Sequence, residues 1–586
     1  MAIAQLSYML LSLLFVGIAA QQIPLGYNAK PNIVFILTDD QDLHMDSLDY
    51  MPLLQKLLLK EGTFYKRHYC STAICCPSRV TLWTGRNAHN TNVTDVSPPY
   101  GGYPKFVSQG FNDNYLPVWL REAGYNTFYT GKLFNAHTVA NYDKPYPAGW
   151  TSSDFLLDPY TYQYLNATTQ RNRDAPVSWE GHYSTDVLAT KAYGLLDEAL
   201  ALEEPFFLTI APSAPHSNVA LFDPIRRDSG IPGMTMPVAA KRHEHLFPNA
   251  KVPRTENFNP SKAGGVSWIK RLDRLNETVI DYNDQFYRAR LQALQAVDEI
   301  VEGIVERLAK AGILDNTYVI YSTDNGFHIG QHRLNPGKEC GFEEDINIPL
   351  IIRGPGVPAG QVAEVVTAHT DLAPTFLKIA GAKHRSDIDG SAIPLDTDGL
   401  VKAEAARQEH VNVEFWGWAL PEGDYGFSYD DGKIVNLQSN NTYKGLRLVS
   451  KEHNLYYSVW CTNEHELYDL NADPHQMNNI YPQQQKSTKG AESSNRLSSV
   501  SNLERLISRL DALLMVTKSC KGRTCVSPWG VLHPDGDVKT LKDALDQKFD
   551  SFYSFVGQRV RFDRCELGYI IESEGPQAAL QFGVDY

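Results

Sequence analysis

A chain of 586 residues with 43% apolar content is too long for one ordinary core, so two domains are expected, with ample apolar side chains to bury both. Its formal net charge of -14 leaves no extended basic surface, which argues against nucleic acid and anionic membranes as partners. Any anion it binds must meet positive charge gathered locally.

In chain order, residues 9–20 form a short apolar run ending in small residues, which reads as a secretory signal spanning residues 1–20 and cleaved near Ala20. The run is too short to span a bilayer, and no later stretch is long or apolar enough to anchor one. A protein secreted, or held in the lumen of the secretory pathway, is therefore expected. Four sequons, at Asn92, Asn166, Asn276 and Asn440, fit that route as glycosylation sites.

Residues 25–395 read as an α/β domain with a large, mostly parallel sheet, because apolar strands alternate with helical stretches and no repeat is visible. Asn32 to Thr38 is a continuous apolar run of buried-strand type, ending at Asp39-Asp40. Next comes Cys75-Cys76-Pro77-Ser78-Arg79, leading to Thr84-Gly85-Arg86. Pro77 suits the first turn of a helix, where its missing N–H would have no partner, so residue 75 is expected at that helix's positive end. Read alone, Cys75 and Cys76 also fit two buried or disulfide-bonded cysteines ahead of an ordinary helix.

A strand over Thr127–Thr130 ends at Gly131-Lys132, and another, Pro205 to Ala211, ends just before Pro215-His216. Leu294, Val297, Val301, Ile304 and Leu308 make one apolar stripe of a helix that stops at Gly312. The strand Tyr318 to Thr323 then ends at Asp324-Asn325. These polar residues all lie just past the carboxyl ends of predicted strands, where open α/β sheets bind ligands. Consecutive carboxylates repel unless a cation lies between them, and an all-oxygen set suits Ca²⁺ or Mg²⁺. Singly, each pair also reads as a turn or cap, Lys132 as a solvated lysine, His216 as a capping histidine and Lys338 as one charge in a polar loop.

After a Gly-Pro-Gly turn at residues 354–356 come a helix over Leu372–Ile379 and the polar stretch 387–397, where the sequence divides. Residues 396–586 read as a smaller α+β unit: Leu446–Val449 and Asn454–Trp460 as antiparallel strands, and Leu503, Leu506, Leu510 and Leu513 as one helix face. Residues 483–500, rich in Gln, Ser and Lys, read as a mobile surface loop. Eight cysteines are too few for a disulfide scaffold but suit local clips, with Cys520–Cys525 the expected pair.

The order Asp-Asp, Cys-x-Pro-Ser-Arg, Gly-Lys, Pro-His-Ser, Asp-Asn-Gly, Lys, closed by Tyr468-Asp-Leu-Asn-Ala-Asp-Pro474, resembles the sulfatase family from about residue 30 to about residue 480. The resemblance implies an alkaline-phosphatase-like fold and the oxidation of Cys75 to formylglycine by a formylglycine-generating enzyme. One thiol of the remaining odd number would then be free or buried. It further implies one Ca²⁺, with Mg²⁺ as an alternative, held by Asp39, Asp40, Asp324 and Asn325 and met by residue 75. Arg79 corresponds to the arginine that holds the formylglycine hydroxyl; Lys132, His216 and Lys338 match the residues around the sulfate and the leaving oxygen. In the implied mechanism one hydroxyl of hydrated formylglycine attacks sulfur, the alcohol leaves in line with a proton from His216 or Lys338, and deprotonation of the second hydroxyl expels sulfate.

One departure stands out: many sulfatases have Gly-Lys-x-His, and here Phe134 occupies the histidine position, leaving Asn135 or His137 to take its place. The Gly-Lys-x-x-Asn form resembles the branch holding glucosamine-6-sulfatases and fungal arylsulfatases, whose Asp-Asn-Gly-x-His-x-Gly-Gln is also present and adds His328 and His332 as leaving-group candidates. The expectation is a Ca²⁺-dependent arylsulfatase acting on small phenolic sulfate esters, with a sugar or glycosaminoglycan 6-sulfatase as its nearest rival. A phosphatase or phosphodiesterase on the same scaffold is disfavoured by cysteine at position 75, and a binding protein with unmodified Cys75 is the remaining alternative.

Overall fold

The computed structural model describes residues 30–578 except 221–232, 427–428, 431–432, 435–437, 483–496 and 557–558. The signal segment 1–20 lies outside the described residues, as does 483–496 of the polar stretch. Residues 497–500 are not loop: they open a helix that runs Leu497–Thr517.

The elements that build the site are, in chain order, β1 (Asn32–Thr38), α1 (Cys75–Thr84), β2 (Asn126–Gly131), β3 (Ser152–Leu156), α2 (Ser184–Leu200), β4 (Phe206–Ala211), α3 (Glu277–Lys310), β5 (Thr317–Thr323), β6 (Leu350–Arg353) and α4 (Leu372–Ile379). Strands β5, β1, β4, β2 and β3 lie side by side and parallel at the centre of a ten-stranded sheet. Antiparallel partners extend it at both ends, β6 on β5 and residues 168–171 on β3. The sheet is therefore mixed but mostly parallel, with helices on both faces.

The reason is legible in β1. Ile33, Phe35 and Leu37 enter one apolar core with α1 and α4, while Val34 and Ile36 enter a second core with α2 and α3. A strand covered on both faces needs an apolar residue at every position, which is what its continuous run supplies. The stripe Leu294 to Leu308 is fully buried against the second core, but α3 is much longer than that stripe, starting at Glu277 with the Asn276 side chain as its cap.

The remainder forms a four-stranded antiparallel sheet, β7 (His410–Phe415), β8 (Tyr443–Val449), β9 (Asn454–Trp460) and β10 (His465–Asp469), backed by α5 (Leu497–Thr517). Its other face shares a core with Cys70, Ile74, Cys340 and Phe342 of the large unit. Two disulfides, Cys520–Cys525 and Cys461–Cys565, clip this part. Cys70, Cys75, Cys76 and Cys340 are free and buried, so three thiols besides Cys75 stay unpaired rather than one. Asn276 and Asn440 are exposed, whereas Asn92 and Asn166 are half-buried. Among the described residues no helix is long and apolar enough to cross a membrane.

Candidate active site

Three strand ends and one helix start converge. Asp39 and Asp40 follow β1, Lys132 follows β2, Asp324 and Asn325 follow β5, and Cys75 is the first residue of α1, with Pro77 in its first turn. Because β1 and β5 pair in register up to Thr38 and Thr323, their terminal acids must emerge side by side. Asp40 then turns into the left-handed region, φ 63°, and its N–H donates to Asp324 Oδ1 at 3.0 Å. Gly131 has φ +110°, and a Cβ there would stand 2.0 Å from the Ala211 carbonyl, so only glycine brings Lys132 this close to β4.

The carboxylates are fully buried and crowded. Lys132 Nζ donates to both oxygens of Asp39, at 2.9 and 2.7 Å. Arg79 Nε donates to Asp324 Oδ2 at 2.8 Å, and its Nη1 to the Lys132 carbonyl at 2.5 Å. Lys338 Nζ donates to Asp40 Oδ2, His216 Nε2 lies 3.5 Å from the same oxygen, and Asn325 Nδ2 donates to Asp40 Oδ1 at 2.7 Å. Cys75 Sγ is 3.6 Å from Asp39 Oδ1 and 4.0 Å from Asp40 Oδ1. Asp39, Asp40, Asp324 and Asn325, expected to bind a metal, thus share one cluster with Cys75, Arg79, Lys132, His216 and Lys338.

The electrostatics follow from this crowding. Burial, reinforced by the Asp324 carboxylate, pushes Asp39 up to about 7 even though Lys132 and Arg79 pull it down. Asp40 goes the other way: burial raises it, but Lys338 and His216 outweigh burial and hold it low. Burial pushes His216 down to about 4. It also pushes the Cys75 thiol well above its usual range, so an unmodified cysteine here stays protonated and is a poor nucleophile.

Asp39, Asp40, Cys75 and His216 bring their ligand atoms within 4.8 Å of one another. Asn325 Oδ1 is buried with no hydrogen-bond partner among the described residues. An orphaned carbonyl beside three packed carboxylates is a donor set that a hard divalent cation satisfies, and Asp39, Asp40, Asp324 and Asn325 fit one.

The further candidates separate. His328 lines a small cavity that reaches Lys338, and its Nδ1 is 2.7 Å from Asp345 Oδ1. His332 does not join it: its ring stacks on Phe342 at 3.7 Å and pairs with Asn257, a packing role. His137 is likewise buried against Tyr103 and Phe155, while Phe134 fills the aromatic core beside Phe106. Asn135 does approach the site, through Tyr162: it donates to the Tyr162 hydroxyl at 2.6 Å, and that ring stacks on His216 at 4.1 Å and lies under Lys132 Nζ at 4.8 Å.

Sequence reasoning missed Tyr162, Arg290 and Glu422. Arg290 donates to the carbonyls of Asp40 and Pro215 and pairs with Asp42 at 3.2 Å, fixing two of the converging segments from below. A signal existed for it, because position 290 falls on the buried stripe of α3, where a charge is out of place. Tyr162 and Glu422 carry no local signal, being brought in by loops.

Comparison with known proteins yields a consistent set. The Sulfatase family model matches residues 31–382, and one for the C-terminal part of N-sulphoglucosamine sulphohydrolase matches residues 330–502. An arylsulfatase of Volvox carteri is 37% identical over 573 residues, covering 94% of this chain and 84% of the relative. The N-acetylglucosamine-6-sulfatase of Homo sapiens is 32% identical over 524 residues, covering 86% of this chain and 87% of the relative. A solved protein in complex with its substrate D-glucosamine-2-N,6-O-disulfate superposes with a TM-score of 0.61 at 23% identity, over 82% of this chain and 97% of that one.

Proposed function

The chain belongs to the sulfatase family and is a sulfuric ester hydrolase, and we propose that within this class it cleaves small aryl sulfates, using Cys75 after its conversion to formylglycine by a formylglycine-generating enzyme. The observation that carries the aryl reading is the wall of the cavity at Lys338. Trp268, Leu272, Leu334, Ala419, Leu420 and Pro421 supply most of its surface, with His328, Arg333, Asn335 and Gln438 among them, so a leaving group there meets mainly apolar surface. A phenolic ring gains from that apolar contact, whereas a sugar, with less apolar surface to offer, gains less from it.

Formylglycine and a divalent cation, when present, supply a nucleophilic hydroxyl of lowered pKa at position 75. The chain's own residues do the rest. Asp39, Asp40, Asp324 and Asn325 would hold the cation, Ca²⁺ or Mg²⁺. Arg79, locked on Asp324 and on the Lys132 carbonyl, and Lys132 itself, present fixed positive charge to the sulfuryl oxygens. Lys338, which converges with His216 on Asp40 Oδ2, stands where the departing oxygen needs a proton, and His216, pushed down to about 4, serves there as a neutral hydrogen-bonding ring. Tyr162, stacked on His216, keeps that ring in place.

Secretion and glycosylation at Asn92, Asn166, Asn276 and Asn440 complete the reading. Two disulfides and the exposed Asn276 and Asn440 support it. Relative kcat/KM on phenyl sulfate and on N-acetylglucosamine 6-sulfate tests the substrate class. The aryl reading predicts a preference for phenyl sulfate of roughly tenfold or more, since aromatic contact with such a wall contributes about 1.5 kcal/mol. A preference for the sugar ester would make the enzyme a sugar sulfatase.

A further inference from the structure

We propose that Glu422 is a positioning residue for leaving-group protonation, its carboxylate holding the Lys338 ammonium on one oxygen and the Ser217 hydroxyl on the other. The proposal rests on the reading that Lys338 and His216 serve the departing oxygen.

Glu422 belongs to the loop between β7 and β8, part of the C-terminal unit, yet it reaches into the cluster of the large sheet. Lys338 Nζ lies 3.3 Å from Glu422 Oε1, and the Ser217 hydroxyl donates to Glu422 Oε2. Ser217 directly follows His216, whose Nδ1 bonds the Ser217 carbonyl at 2.8 Å. One carboxylate therefore holds Lys338 directly and His216 through the neighbouring Ser217. The side chain is only 3% exposed, so its charge acts in a dry setting.

The loop is built to hold that position. Leu420 N–H donates to Glu339 Oε2, Glu422 N–H to the Pro336 carbonyl at 2.6 Å, and Asp424 N–H to the Tyr282 hydroxyl at 2.9 Å. Leu420 and Pro421, just before Glu422, line the cavity at Lys338. Asp40 is already shared by Asn325, His216 and Lys338. Glu422 is the second carboxylate on the ammonium, so Lys338 is held between Asp40 and Glu422 at the wall of the cavity that it lines.

In the step served, a Lys338 N–H bond breaks as an O–H bond forms, and the sulfur–oxygen bond breaks with its electron pair passing to that oxygen. A nitrophenolate departs readily without a proton; an unactivated phenolate does not. Glu422→Gln keeps shape and an acceptor for Ser217 while removing the charge. It should lower kcat on phenyl sulfate by about tenfold or more, and kcat on 4-nitrophenyl sulfate by less than about threefold, with KM changed by no more than about twofold. An equal fall on both substrates, or a change confined to KM, would overturn the proposal, because a merely structural residue acts without regard to the leaving group.

Lys338→Ala serves as the reference. If it sharpens the leaving-group dependence and Glu422→Gln does not, the role of Glu422 is lost and the reading of Lys338 stands; if neither does, both fall. Should Glu422→Gln fail to accumulate folded, Ser217→Ala removes one of the two tethers and must produce the same selective fall at smaller amplitude, a uniform effect there being equally fatal.

Discussion

Lys132 donates to both carboxylate oxygens of Asp39 while Arg79 donates to Asp324, so these two cations hydrogen-bond to acids at the ends of two neighbouring strands. Lys132→Ala would leave Asp39 facing Asp324 across a dry site. Breaking a buried pair in this way costs about 3–5 kcal/mol of stability, and losing a preorganised charge costs about 100-fold or more in turnover. Thermal unfolding and kcat, measured with and without Ca²⁺, check this. Added Ca²⁺ should recover part of the stability and none of the turnover.

Metal removal should act on the fold as well as on activity. Chelation is expected to lower the unfolding temperature of the enzyme, and Ca²⁺ at about 100 times its Kd to restore about 2.7 kcal/mol. Asn325→Leu, which removes the orphaned carbonyl, should abolish that Ca²⁺-dependent shift in a calorimetric titration. An undiminished shift in the variant would place the ion elsewhere.

Arg290, itself fully buried, ties Asp40, Pro215 and Asp42 to α3. Its replacement by Met should weaken Ca²⁺ binding by about 10- to 100-fold, the usual cost of losing a group that orients a ligand. Isothermal titration reads that change directly. The same variant leaves Asp42 buried without its cation, so a fall in unfolding temperature should accompany it.

Glu409 gives a pH prediction away from the site. Burial pushes its carboxyl up to about 7, although it accepts the Leu541 N–H at 2.6 Å. The folded state then binds more protons than the unfolded state between about pH 4.5 and pH 7, so this group's contribution falls as pH rises through that window. Glu409→Gln, which retains the acceptor, should stabilise the protein by about 1–3 kcal/mol at pH 8 and by almost nothing at pH 4. Unfolding curves at the two pH values decide it.

Much of the site was legible because it is built from strand ends. An apolar run such as Asn32–Thr38 announces a buried strand, and the polar residues after it can only lie at the sheet's edge, so Asp39, Asp40, Asp324 and Asn325 could be gathered from sequence order alone. The Cys520–Cys525 clip was equally local. What sequence order could not supply came through loops of high sequence separation. Glu422 reaches Lys338 from 84 residues away, and Tyr162 meets His216 across the sheet's edge. His332 and His137 misled for the opposite reason: a histidine near a motif carries no mark of whether its ring faces a cavity or a phenylalanine.

Replacing Cys75 by Ser should abolish sulfate ester hydrolysis with the unfolding temperature essentially unchanged, since both side chains are small and a serine hydroxyl can donate to Asp39 or Asp40 as the thiol does. The tryptic peptide His68–Arg79 from active, natively produced enzyme provides the most direct measurement. Mass spectrometry should find residue 75 lighter than cysteine, its thiol replaced by an aldehyde that reacts with hydrazides. Full activity in a preparation whose residue 75 is uniformly an intact thiol would contradict the account.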